Sequence, residues 1–149
     1  MQVVLDSWAI LAWLQGEPGG AALVQDLLGW AEGDVAAGGR VRKRLGKDLK
    51  RPKIYVSVIN LGEVFYILGR RVGERRARET IEEIKASAIE IVPVSEEHVF
   101  EAASLKIKYP IAYADGFALA AAIAQGGALV TGDPELKDMK EVPIIWIGG

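Results

Sequence analysis

Short apolar runs alternate with stretches of helical periodicity along the whole chain, and this alternation restricts the fold more than any other feature. Such a pattern is typical of α/β proteins, in which helices connect the strands of a parallel sheet. Five runs are predicted to be strands: Val3–Leu5, Ile54–Ile59, Ile89–Val94, Ala128–Thr131 and Ile144–Ile147. With 149 residues, the chain is predicted to form one domain spanning residues 1–149.

Helical periodicity and capping residues predict the helices between these strands. Ser7 is expected to cap the first helix, and Gly126 with Gly127 to close the last. A Gly-rich, basic insertion at about residues 32–53 is predicted to be either a flexible flap or a short helix. The predicted helices are Trp8–Leu14, Ala21–Ala31, Leu61–Val72, Glu74–Ser87, a helix from Ser95 to Pro110, and Tyr113–Gln125.

The rarity of two residue types excludes several kinds of chemistry. The chain has no Cys and one His, His98. A disulfide framework, a thiolate zinc site and a cysteine nucleophile are therefore excluded, as is any mechanism that needs two imidazoles. Catalysis, if present, must depend on carboxylates, hydroxyls or basic groups.

Charge is unevenly distributed along the chain. Between Arg40 and Arg78 there are 13 Lys or Arg against three acids, whereas the rest carries five against 17, so that the net charge of −2 hides a basic band. Such a band is typical either of a polyanion-binding surface or of a merely solvated one. No signal peptide is recognisable, and the longest uncharged run, Gly116–Gly132, is too short and polar to span a bilayer. We expect a cytoplasmic protein.

Four acids occupy positions where the apolar pattern provides no packing reason for a charge. Asp6 and Asp133 follow predicted strands, and Glu63 and Asp115 lie near the starts of predicted helices. The carboxyl ends of parallel strands form the ligand crevice of such folds, so all four are expected at one edge of the sheet. Taken singly, each is explained by a turn or a helix cap, as with the pair Asn60 and Glu63 in a capping box.

Taken together, the four acids are difficult to explain by capping alone. Two carboxylates about 4 Å apart repel each other by roughly 4 kcal/mol at an effective dielectric of 20. A cluster of them must therefore bind protons or share a cation. Oxygen ligands without His or Cys favour Mg²⁺ or Mn²⁺ over zinc.

Four motifs containing these acids resemble the PIN-domain ribonucleases, and in particular the VapC-type toxins of VapBC toxin–antitoxin pairs. They are VVLDSWAILAWL, IYVSVINLGEVFYIL, IAYADGFALAAA and ALVTGDPEL, and they occur in the family's order along nearly the whole chain. The chain departs from the family in a longer, more basic stretch at Gly29–Lys53. It also has Asn60 where the family often has Ser or Thr, and Gly116 where the family often has Ala.

The resemblance implies a three-layer α/β/α fold around a parallel sheet. It assigns divalent-metal coordination and catalysis to Asp6, Glu63, Asp115 and Asp133, with Ser7, Thr131 and Asn60 in supporting positions. The implied reaction is metal-assisted endonucleolytic hydrolysis of RNA, leaving a 5′-phosphate and a 3′-hydroxyl. The implied partners are a cognate antitoxin and a second copy of the chain, for which the helix around Phe65, Tyr66 and Leu68 offers an apolar face.

The basic residues are candidates for binding RNA phosphates without sequence preference. Several basic side chains of the Glu74–Ser87 helix have acids at helical spacing, which equally indicates a solvated surface. The candidates for RNA contact are Arg40, Arg42, Lys43, Arg44, Lys47, Lys50, Arg51, Lys53, Arg70 and Arg71.

Other functions also fit parts of the pattern. A phospho-acceptor receiver domain would need adjacent acids near the first strand and a Lys after a late strand, but Ser7 follows Asp6 and Gly132 follows Thr131. A haloacid-dehalogenase-type phosphatase would need a second Asp at position 8, which is Trp. A non-catalytic PIN scaffold that binds RNA or a protein partner is the stronger alternative.

Overall fold

Five strands and seven helices make up the structure, a computed structural model that describes residues 1–149. None of the helices combines the length and apolar character needed to cross a bilayer. The strands are β1 (Gln2–Leu5), β2 (Lys53–Ser57), β3 (Ile89–Val92), β4 (Ala128–Thr131) and β5 (Ile144–Trp146). The helices are α1 (Ser7–Leu14), α2 (Gly20–Ala31), α3 (Val35–Leu45), α4 (Val58–Val72), α5 (Glu74–Lys85), α6 (Glu96–Lys108) and α7 (Tyr113–Gln125).

The strands form one parallel sheet in the order β3-β2-β1-β4-β5. The central strand is β1, where Val4 is opposite Tyr55 on one side and Leu129 on the other. The strand order reverses between β1 and β4, and the crevice beyond the carboxyl ends of such strands is where ligands bind in open α/β sheets.

Alternate side chains of β1 enter different hydrophobic cores, as the period of two in a strand requires. Val3 and Leu5 pack with residues of α1, α2, α4 and α5 on one face. Val4 packs with Leu105 of α6 and Leu119 of α7 on the other. The predicted three-layer α/β/α fold with a central parallel sheet is therefore confirmed.

The basic stretch after α2 contains α3, which is one of the two alternatives predicted for it. Asp34 caps this helix by accepting a hydrogen bond from the Ala37 amide at 3.2 Å. The first turn of α3 packs closely on α2, because a Cβ at Gly38 would lie 2.5 Å from Trp30 Nε1.

Two helix starts differ from the prediction. Asp6, not Ser7, caps α1, and its Oδ1 accepts from the Ala9 amide at 2.8 Å. Ser57 caps α4, which begins three residues before the predicted start at Leu61. Asn60 is therefore inside the helix, and the capping-box explanation of Glu63 is wrong.

Gly116 explains how α6 and α7 approach so closely. A Cβ at this position would lie 2.8 Å from the carbonyl oxygen of Ala102. Alanine would therefore force the two helices apart, which gives the departure from the family's motif a local structural reason. This contact positions the first turn of α7, which carries Asp115.

Candidate active site

Asp6 is held at the carboxyl end of β1 by partners from two elements. Its side chain is 1% exposed, and one oxygen caps α1 through the Ala9 amide. The other oxygen accepts a hydrogen bond from the hydroxyl of Thr131 at the end of β4. The same hydroxyl accepts from the Asp133 amide at 3.0 Å. Thr131 thus joins the ends of two neighbouring strands at the predicted site.

Glu63 reaches the same edge of the sheet from the second turn of α4. The hydroxyl of Ser7 donates a hydrogen bond to Glu63 Oε1. Because Ser7 follows Asp6 directly, this bond brings the first two predicted motifs together. Glu63 remains half-buried.

Asp115 and Asp133 are joined by a third acid, Glu135, which the sequence analysis did not select. One carboxylate oxygen from each of the three lies within 4.8 Å of those from the other two. Asp133 Oδ1 accepts from the Glu135 amide at 3.0 Å, and Glu135 Oε2 accepts from the Ala112 amide at 3.3 Å. These bonds tie the short 3₁₀ helix Pro134–Leu136 to the start of α7.

A sequence signal for Glu135 exists in the motif GDPEL. An Asp before a Pro is typical of a helix start, with Pro in its first position. The acid that follows the Pro is then in the first turn, at the same edge of the sheet as its capping Asp. The sequence alone does not single out Glu135, because an acid in a first helical turn also has an ordinary electrostatic explanation.

The acids perturb one another electrostatically. Burial raises the pKa of Asp6 from 3.8 to about 7; hydrogen bonds from Thr131 and Ala9 oppose this rise, and the charges of Asp133 and Glu63 add to it. Burial also raises the pKa of Asp115 to about 8, and the charges of Asp133, Asp6 and Glu135 add to this rise. Strongly raised carboxylate pKa values in a crevice are typical of functional sites.

No basic side chain neutralises this cluster. Every ion pair in the molecule involves other acids. Asp115 Oδ2 is buried without a hydrogen-bond partner, which is unusual for a carboxylate oxygen. An oxygen-only donor set with an unpartnered buried oxygen fits a hard divalent cation such as Mg²⁺ or Mn²⁺.

Asn60 lies behind the acids and connects α4 to α7. Its side chain is fully buried, and Nδ2 donates to the carbonyl of Ala114 at 3.1 Å, next to Asp115. The Oδ1 atom has no partner. Ser7, Thr131 and Asn60 therefore all contact an acid or its immediate neighbour.

Half of the ten basic candidates have partners outside this cluster. Arg40 pairs with Asp26 at 2.9 Å, and Arg42 lies 5.2 Å above the ring of Trp30. The other contacts are Arg44 to the Gly19 carbonyl at 3.1 Å, Arg51 to the Ala31 carbonyl at 2.7 Å, and Arg70 over the Tyr66 ring at 5.1 Å. Lys43, Lys47, Lys50, Lys53 and Arg71 are exposed, and none of the ten forms an ion pair with the clustered acids.

Solved structures of similar fold come from VapBC toxin–antitoxin systems. VapBC-1 from nontypeable Haemophilus influenzae superposes with a TM-score of 0.67 at 14% identity, covering 98% of each chain. VapBC2 from Rickettsia felis, bound to a promoter DNA fragment, gives 0.65 at 17% identity over 97% of this chain and 98% of the other. VapC20 from Mycobacterium tuberculosis, a sarcin–ricin loop cleaving toxin, gives 0.57 at 20% identity over 95% and 98%.

At these identities the structures establish the fold alone. No curated protein matches the sequence. The family model of the PIN domain matches residues 3–142, which include the group Asp115, Asp133 and Glu135 as well as Asp6 and Glu63, which lie outside that group. The chain therefore belongs to the PIN domain family.

Proposed function

We propose that this PIN domain is a divalent-metal-dependent endoribonuclease, and that it is the VapC-type toxin of a type II toxin–antitoxin pair. The observation that carries the proposal is the acidic cluster at the carboxyl edge of the sheet, which no cation compensates and in which Asp6 and Asp115 are buried and one Asp115 oxygen is unpartnered. Burying such charges is costly unless a cation shares them. A bound metal ion would offset this cost, which is why the arrangement supports a metal-dependent hydrolase.

In the proposed site, Asp6, Glu63, Asp115 and Asp133 hold the metal, directly or through water. Thr131 orients Asp6, and Ser7 orients Glu63, through hydrogen bonds that fix each carboxylate before a metal binds. Glu135 joins the proposed set because its oxygen lies within 4.8 Å of those of Asp115 and Asp133. Such preorganisation reduces the cost of assembling the site around its ligand.

A bound Mg²⁺ or Mn²⁺ supplies three effects to phosphodiester hydrolysis: it lowers the pKa of water, neutralises phosphate oxygens and stabilises the leaving alkoxide. The chain itself positions the scissile phosphate at the crevice and keeps other water away from the buried face of Asp6. The expected products carry a 5′-phosphate and a 3′-hydroxyl.

RNA is the proposed substrate, and the cytoplasm is the proposed location of the protein. Support comes from the fold shared with VapC20, which is described as cleaving the sarcin–ricin loop. The negative charge of the acidic cluster repels the RNA backbone, so exposed cationic side chains must offset that repulsion. Three of the arginines already have polar partners within the chain, and two more lie over aromatic rings. The proposed contacts are Arg40, Arg42, Lys43, Arg44, Lys47, Lys50, Arg51, Lys53, Arg70 and Arg71.

A cognate antitoxin is the proposed protein partner, since the similar structures include VapBC complexes.

We also propose a homodimer. Tyr66 on α4 is 48% exposed, but α6 presents more apolar surface, with Phe100 at 67% and Ile107 at 89%. The two side chains are seven residues apart and so share a helix face. Glu97 and Glu101 in the first half of α6 and two lysines at its end favour antiparallel pairing with the same helix of a second copy.

The decisive experiment is incubation of the purified protein with single-stranded RNA and Mg²⁺, Mn²⁺ or EDTA. Cleavage is expected only with a metal. Asp6→Asn should slow it by about 100-fold or more, since metal-ion stabilisation of the transition state is worth several kcal/mol. Asp138→Asn is the matched control, because Asp138 is an exposed acid in the loop just after the Glu135 segment.

Two results would contradict the proposal. Cleavage that persists in EDTA or in the Asp6→Asn protein would exclude the metal-dependent site. Mg²⁺ binding without any RNA cleavage would instead support the non-catalytic PIN scaffold. For the toxin assignment, we expect a small reading frame next to this gene to encode a DNA-binding protein. Co-expression of that protein should neutralise the ribonuclease activity.

A further inference from the structure

A narrow groove lies between α1 and α4, beside the acidic cluster. It encloses about 190 Å³ and is lined by Trp8, Leu11, Ala12, Gln15, Glu17 and Arg71. Its floor is apolar and its outer end carries charge. This volume is smaller than that of pockets for drug-sized ligands, which begin at about 300 Å³, and suits a single planar ring.

Trp8 connects the groove to the acidic cluster, although none of the clustered acids lines the groove. Trp8 follows Ser7, whose hydroxyl holds Glu63. The six-membered part of the indole lies directly against Gly132, between Thr131 and Asp133, where any Cβ would overlap the ring. Trp8 is nevertheless only half-buried, and its remaining surface forms a wall of the groove. An aromatic surface is thus fixed immediately beside the acidic cluster.

The other end of the groove is cationic. Arg71 lies eight residues beyond Glu63 on α4, which corresponds to about 12 Å along the helix. Its exposed guanidinium makes no hydrogen bond, ion pair or aromatic contact, whereas the neighbouring Arg70 lies over Tyr66. Glu17 lines the same groove but does not come within ion-pair distance of Arg71. The cation is therefore available to an external anion.

We propose that this groove binds the nucleotide next to the scissile phosphate, with its base against Trp8 and its phosphate on Arg71; this inference rests on the proposed ribonuclease function. An aromatic platform beside a cation is the combination that binds single-stranded nucleic acid, because every base can stack and every nucleotide carries a phosphate. The contact of Trp8 with Gly132, next to Asp133, identifies the occupant as part of the same RNA strand. The polar rim of Gln15, Glu17 and Arg71 disfavours an apolar protein segment.

The test compares two single-stranded, fluorescein-labelled oligoribonucleotides, one of mixed sequence and one with abasic residues throughout. Binding is measured by fluorescence anisotropy with Ca²⁺ replacing Mg²⁺ to slow turnover. Trp8→Leu should weaken binding of the mixed-sequence strand by about 5-fold or more, as loss of base stacking predicts. It should leave binding of the abasic strand unchanged. Trp8→Phe, which retains a ring, should bind both strands nearly as the parent protein does.

Arg71→Gln should weaken binding of both strands and reduce the slope of log K against log salt by about 0.7. Arg75→Gln is the matched control for charge, since Arg75 is exposed and pairs with Glu79 on α5. Trp13→Phe is the control for α1, because the Trp13 indole donates to Gln25, away from the groove. Neither control should change binding.

Equal losses on the two strands with Trp8→Leu would overturn the proposal and assign Trp8 to packing against Gly132. Parent-like RNA binding by both Trp8→Leu and Arg71→Gln, in a protein that still cleaves RNA with Mg²⁺, would overturn the groove assignment alone. A parent protein that neither binds nor cleaves RNA would overturn the groove together with the proposed function. Loss of binding to a protein partner, with RNA binding intact, would assign the groove to that partner.

Discussion

At the scale of single residues, Thr131 shows how a neutral side chain controls a charged one. Its hydroxyl donates to Asp6 and accepts from the Asp133 amide, so it fixes the distance between two proposed metal ligands. It is fully buried, and no other hydroxyl contacts Asp6. The carboxylate of Asp6 is therefore oriented by the Ala9 amide on one oxygen and by one residue of a neighbouring strand on the other.

Replacing Thr131 with Val keeps its shape and removes this hydrogen bond. We expect Mn²⁺ affinity, measured by isothermal titration calorimetry, to fall about 10- to 100-fold, the range typical of residues that orient metal ligands. Thr131→Ser should restore most of the affinity. An unchanged Mn²⁺ affinity in the Val variant would show that Asp6 is oriented without the hydroxyl.

The four acids of the candidate site could be selected from the sequence because parallel strands end at a common edge. Their partners could not be selected in the same way. Ser7 and Asp6 are both good caps, and only the position of Glu63 determines that Ser7 binds it while Asp6 caps α1. The contact between Trp8 and Gly132 joins residues far apart in the sequence, and no periodicity indicates it.

At the scale of elements, the junction of β2 and α4 shows where sequence patterns fail. Residues 54–59 form one apolar run and were predicted to be a strand. The ladder with β3 ends at Ser57, which is paired with Val92. Beyond that point Val58 and Ile59 have no strand partner and begin the helix that Ser57 caps. Tertiary pairing, not β-propensity, thus determines the boundary.

Helix α6 carries the element-scale prediction. Ile107 is 89% exposed. An apolar side chain so exposed indicates a surface that a second copy of the chain buries. Ile107→Glu should convert a dimer to a monomer in sedimentation velocity, because a charge would be buried between the helices. Val35→Glu is the control, as Val35 on α3 is also exposed, at 78%. A parent protein that sediments as a monomer would contradict the dimer.

At the scale of the whole molecule, the acidic cluster makes stability depend on pH. In the metal-free protein the pKa values of Asp6 and Asp115 are raised to about 7 and about 8, from 3.8. The folded state therefore binds these protons more tightly than the unfolded state. Their contribution to stability is complete below about pH 4 and is lost as the pH rises through about 7 and 8.

We therefore expect the free energy of unfolding in EDTA to fall steadily between about pH 5 and pH 8. Urea denaturation at several pH values measures this change. Asp6→Asn should flatten the profile, and saturating Mg²⁺ should raise stability most at the alkaline end. Stability that rises with pH over this range would contradict the raised pKa values.

The layered architecture could be predicted from the sequence because alternation of strands and helices is a property of the whole chain. The bounds of α7 were predicted correctly, since Gly126 ends it in the left-handed conformation with φ of 62°. The sequence does not distinguish a helix from a flexible flap over residues 35–45, because a composition of Gly and basic residues favours neither. In the structure this segment is a helix that packs on Trp30 of α2.

The position of β1 in the centre of the sheet has a consequence for the order of folding. Asp6 at the end of β1 accepts a hydrogen bond from Thr131, which lies 125 residues later in the sequence. Contacts of such high sequence separation form slowly, because closing a long loop costs conformational entropy. The proposed metal site can therefore assemble only after β1 and β4 have paired, and a folding intermediate without this pairing lacks the site.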